Sequence, residues 1–151
     1  MNLSLVSQKP SAATTLGVLA ALRAASEESD YVTEVRVAQP QQWQPSKDEA
    51  AILLLEEEGA AWPAPLWPAG GSALGLPVLP LLVHRQYEHT PQGPDVRDPH
   101  FYFVSNGILL DEAELADPAC SLVLQSKFES YFPLLSRLIL LRQRQPGVLS
   151  S

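Results

Sequence analysis

The chain has 151 residues, 46% of them hydrophobic, and a formal net charge of -7. That length favours one domain, expected over 1–151, and the apolar fraction argues against global disorder despite 14 prolines. An acidic chain with no concentrated basic field argues against nucleic acid as a partner. A single cysteine, Cys120, excludes an intrachain disulfide and a four-cysteine metal centre.

The first six residues lack the basic-then-apolar order of a signal peptide, and no apolar run approaches the about 18 residues of a membrane span. The expectation is a cytoplasmic protein without membrane insertion.

After Pro10, an alanine- and leucine-rich stretch over 12–28 predicts a helix with Ser11 as its cap. Its apolar stripe would run through Leu16, Leu19, Ala20 and Leu22, bounded by Arg23. Residues 31–37 alternate, with Tyr31, Thr33, Val35 and Val37 against Glu34 and Arg36, which predicts a half-buried strand. A proline-rich connection over 39–46 contains Trp43. Residues 47–58 are ambiguous. Ser46 and Glu49 have capping-box spacing, yet Ile52 to Leu55 followed by three glutamates suits a short turn and then a buried strand.

A second proline-rich loop, 59–77, carries Trp62 and Trp67. A strand is expected over 78–87, with Pro80 suggesting an edge position, and a third loop follows over 89–99. Asn106-Gly107 between two apolar runs predicts a tight hairpin, because such turns need positive φ at both central residues. Asp117-Pro118 opens a long last helix, which Pro133 should kink or split. The fold class read from these elements is α+β: a small antiparallel sheet with an Asn-Gly hairpin, packed against an N-terminal helix and a long, Pro-kinked C-terminal helix.

Catalytic signatures are weak. His84, His89 and His100, with Asp95 and Asp98 near them, form the one cluster suited to a metal, although their spacing matches no metal motif. The glycine-rich segment 70–75 lacks the lysine of a phosphate-binding loop, and no cofactor is indicated.

Binding features are stronger. Trp62 and Trp67 flank prolines, as rigid aromatic anchors do at interfaces. The last helix carries more apolar surface than one stripe requires. Leu134, Leu138 and Leu141 could face the sheet, leaving Tyr131, Leu135 and Ile139, with Arg142, for another chain. Charge is uneven too: 16 acids against 6 Lys or Arg up to Cys120, then 1 acid against 4 bases. The reading is a non-catalytic interaction or assembly module, an adaptor, chaperone-like factor or minor subunit, with a protein partner or a homo-oligomer. The alternative is a small metal- or ligand-binding protein or enzyme using the segment from His84 to His100.

Overall fold

The computed structural model describes residues 1–40, 42–55, 75–84, 101–104, 108–111, 115 and 117–144. The elements run β1 (Asn2–Val6), α1 (Ala13–Glu27), β2 (Glu34–Ala38), β3 (Glu49–Leu55), β4 (Leu76–His84), β5 (Phe101–Phe103), β6 (Ile108–Asp111) and α2 (Pro118–Gln143). The sheet order is β2-β1-β3-β4, with β5 and β6 both on the outer edge of β4.

Every pairing is parallel, which overturns the antiparallel sheet expected from the sequence. The physical reason lies in β3 and β4, whose near-continuous apolar runs are buried on both faces, as strands of parallel sheets are. The Asn106-Gly107 hairpin is overturned with it. The turn itself lies outside the described residues, but its flanking strands pair with β4 rather than with each other. β5 lies against Leu76 to Val78 and β6 against Leu81 to His84, both in the same direction. They form one interrupted edge.

That interruption accounts for Pro80 in a strand that has neighbours on both sides, where the sequence suggested an edge position. The Val78 carbonyl accepts from the Val104 N–H at 3.0 Å, so it points toward the β5–β6 edge. Backbone groups two residues on point the same way, which aims the missing N–H of Pro80 at that edge too. There the register jumps from Val78–Phe103 to Leu81–Ile108, so Pro80 has no registered partner to disappoint. Pro77 faces the opposite side, one residue before the β3 register begins at Ala51–Val78.

The helices cover one face. Leu3, Leu5, Ala50, Ile52, Leu54, Leu79, Leu81 and Val83 meet Val18, Leu19, Leu22 and Ala25 of α1 and the inner side of α2. On the opposite face, Val6, Ala51, Leu53, Leu76, Val78 and Leu82 gather around Trp43, which is 1% exposed. The tryptophan in the first proline-rich connection is therefore a core residue.

Two local expectations are adjusted. Ser11 does not cap α1; Ala12 stands at the cap without a side-chain bond, and Leu16, Ala20 and Arg23 of the expected stripe are exposed. The start of α1 is held instead by a closed hydroxyl ring. The Lys9 N–H donates to Ser7 Oγ (3.1 Å), Ser7 pairs with Thr15 Oγ1 (2.9 Å), and Thr15 donates to the Lys9 carbonyl (2.8 Å). Residues 47–48 form a turn and β3 follows, resolving the ambiguous segment as turn then strand. β2 alternates as read, with Val35 and Val37 against the core and Glu34 and Arg36 exposed, but it begins at Glu34.

Candidate functional site

α2 starts where the sequence said it would. Asp117 accepts from the Ala119 N–H at 2.9 Å, and Pro118 occupies the first helical position, where its missing donor costs nothing. The helix then continues through Pro133, which is exposed, so the expected split does not occur. Its inner side is Leu124, Phe128, Phe132, Leu135, Ile139 and Arg142, spaced three or four residues apart.

Of the residues proposed for a partner, Leu135 (0% exposed) and Ile139 (4%) are thus occupied by the core. Tyr131 is half-buried against the same core. The split expected for this helix is reversed: Leu134 and Leu141 face outward, 42% and 43% exposed. Phe128 and Phe132 set the rotation, since only their side of the helix fills the depth over the sheet. Trp62, Trp67, His89 and His100 lie outside the described residues. His84 closes β4 in register with Asp111, and among the described residues no three His, Cys, Asp or Glu side chains come together as a metal site.

Nine large hydrophobic residues among those described are exposed. Five of them, Leu122, Val123, Leu134, Leu140 and Leu141, lie on α2, and Leu16 lies on the neighbouring α1. Single exposed leucines are ordinary on protein surfaces; a concentration on one helical layer is not. Lys127, Arg137 and Arg144 are exposed on the same helix, whose one acid, Glu129, is half-buried and accepts from Gln125 at 3.4 Å.

Both helices end at the edge of the sheet where the strands begin. The end of α1 borders a cavity of about 230 Å³ with Val32 to Val35. The end of α2 borders one of about 310 Å³ with Met1, Asn2, Thr33 and Asp48. Gln143 Nε2 donates to Asp48 Oδ1 at 2.6 Å and to the Lys47 carbonyl at 3.3 Å.

Two charges nearby are buried, Glu49 and Arg142, the second expected from the sequence on a partner-facing surface. Glu49, wholly buried, accepts from Ser4 Oγ (2.5 Å), Arg36, Trp43 Nε1 (3.2 Å) and the Ser46 N–H (3.3 Å). The Ser46–Glu49 spacing was its trace: the carboxylate does reach back to the Ser46 amide, but at the mouth of a strand. Arg142 is 4% exposed, and Nε, Nη1 and Nη2 have no hydrogen-bond partner among the described residues. Burial pushes its guanidinium below the ordinary arginine value, while Glu49 and Asp48 pull the other way.

Chemically, the Glu49 network is a saturated knot that ties three strands to the Trp43 segment. Both oxygens of its carboxylate are engaged, each by two donors. The outer helical layer is the unsatisfied surface. No protein family, curated protein or solved structure matches the chain. No described helix is long and apolar enough to cross a membrane.

Proposed function

We propose that this chain is a protein–protein interaction or assembly module that docks through the outer face of α1 and α2. The observation carrying this reading is the set of five exposed large apolar residues on α2, present although the opposite side of the same helix already fills the core. A helix apolar on both sides is normally covered on both. The combination of leucines with Arg137 and Arg144 suits an interface with an apolar centre and a charged rim.

The experiment compares native mass, for purified protein and in extracts of the source cells, between the wild type and a Leu134→Asp/Leu141→Asp variant. Both substitutions lie on the exposed side, so thermal stability should hold while any higher-mass species disappears. A wild-type chain that stays monomeric in both settings, or a complex indifferent to the double substitution, overturns the reading.

A further inference from the structure

We infer that the occupant of this face is a second copy of the chain, with α1 of each copy lying on α2 of the other about a two-fold axis parallel to the helices. This rests on the reading of that face as an interaction surface and names its partner. The two helices pack side by side on one face of the sheet and end at the same sheet edge. Such an axis therefore brings the C-terminal ends of all four helices together.

Charge decides the pairing. The exposed charges at the end of α1 and just beyond it are Arg23, Glu27, Glu28 and Asp30, acidic on balance; those toward the end of α2 are Arg137 and Arg144. Stacking α2 on α2′ would oppose arginines, and stacking α1 on α1′ would oppose glutamates. The crossed arrangement alone sets a net acidic helix end against a net basic one, and the two-fold repeats that contact. Among the described residues, no ion pair within the chain engages these groups. An anionic lipid surface fits less well, because the residues up to Cys120 carry 16 acids against 6 bases.

Shape agrees with charge. The exposed side of α1 presents Ala13, Ala20 and the half-buried Ala24 along one side, and a Cβ added at Gly17 would meet nothing within 4 Å. α2 presents leucines. Small residues on one helix let large ones of its partner approach closely. Each contact runs only the about 22 Å of α1, so two contacts about 10 Å wide give a footprint on the order of 450 Å² per copy. Doubled, that is about 900 Å², in the range of weak, transient interfaces, and implies a dimer whose mass changes with concentration.

The test uses two full-length variants, Arg137→Glu and Glu27→Arg, with sedimentation equilibrium of each alone and of their equimolar mixture. Both positions are exposed, so melting should be unaffected. Alone, each variant opposes like charges twice and should dimerise at least about tenfold more weakly than wild type. Mixed, they restore the native Glu27–Arg137 contact on one side of the axis. On the other side the two substituted side chains meet with their charges exchanged, again acid against base, and wild-type affinity should return as a heterodimer. A dimer insensitive to either reversal, or one not restored by mixing, overturns the arrangement. If wild type is monomeric at every concentration but an α2-dependent complex with a different protein forms in the extract, self-association is overturned while the interaction reading stands.

Discussion

Arg142→Met should stabilise this protein. The guanidinium is 4% exposed with three nitrogens unpartnered among the described residues, and an unpaired buried charge costs several kcal/mol of lost hydration. Two terms oppose that cost. A cation in the last turn of a helix gains about 0.3–1 kcal/mol from the helix dipole, and Glu49 and Asp48 attract it at longer range. Methionine keeps an unbranched apolar stem in the same space and removes the charge. Glu49 loses no hydrogen bond, since its partners are Ser4, Arg36, Trp43 and Ser46. The expected net gain is about 2 kcal/mol, or a rise in Tm of about 4–8 °C for a chain of this size. Calorimetry on both proteins, repeated in an Asp48→Asn background, checks it. An unchanged or lowered Tm would refute the reasoning. If Asp48→Asn then destabilised the wild type but not Arg142→Met, the missing counter-charge would be Asp48.

The remaining predictions concern the packed side, the charge knot and the entry to α1. Leu135→Ala should cost about 2–5 kcal/mol in denaturant unfolding, because it opens a cavity under a fully buried side chain, whereas Leu134→Ala on the exposed side should stay within about 0.5 kcal/mol when measured on monomer. Glu49→Gln should destabilise by about 3–5 kcal/mol, since an amide nitrogen must face donors on one side or the other and Arg36 loses its ion pair; a smaller loss by chemical unfolding would mean the knot relaxes. Thr15→Val breaks the hydroxyl ring at the Lys9 carbonyl and at Ser7, and should cost about 1–3 kcal/mol with earlier hydrogen exchange in the first turn of α1.

Element positions were far more legible than strand direction. The start of α2 follows from Asp117-Pro118, and the alternation of β2 from Val35 and Val37, because caps and period-two burial are local facts. Parallel pairing is not local: it is set by which distant strands meet. The useful signal was nevertheless present in Ile52 to Leu55 and Leu76 to Val83, two apolar runs too continuous for a sheet with one wet face. Asn106-Gly107 outweighed them because its turn preference is strong in isolation. Pro80 misled in the same way, since its tolerance depends on a gap in the neighbouring edge that no single stretch of sequence reveals.

α2 was legible as a helix and its rotation was not. α2 carries large apolar residues on several sides, so its periodicity contains little preference of rotation; the sequence set Leu135 and Ile139 facing outward, and the structure buries them. Rotation is decided by fit, with Phe128 and Phe132 reaching the sheet and Leu124, Leu135 and Ile139 following at helical spacing. The same choice leaves Leu134 and Leu141 outside, beside Arg137 and Arg144. Among the described residues, those leucines stand outside the core that Leu135 and Ile139 help to fill. Exposed apolar surface costs solubility, which is the physical ground for the proposal that a second chain covers it.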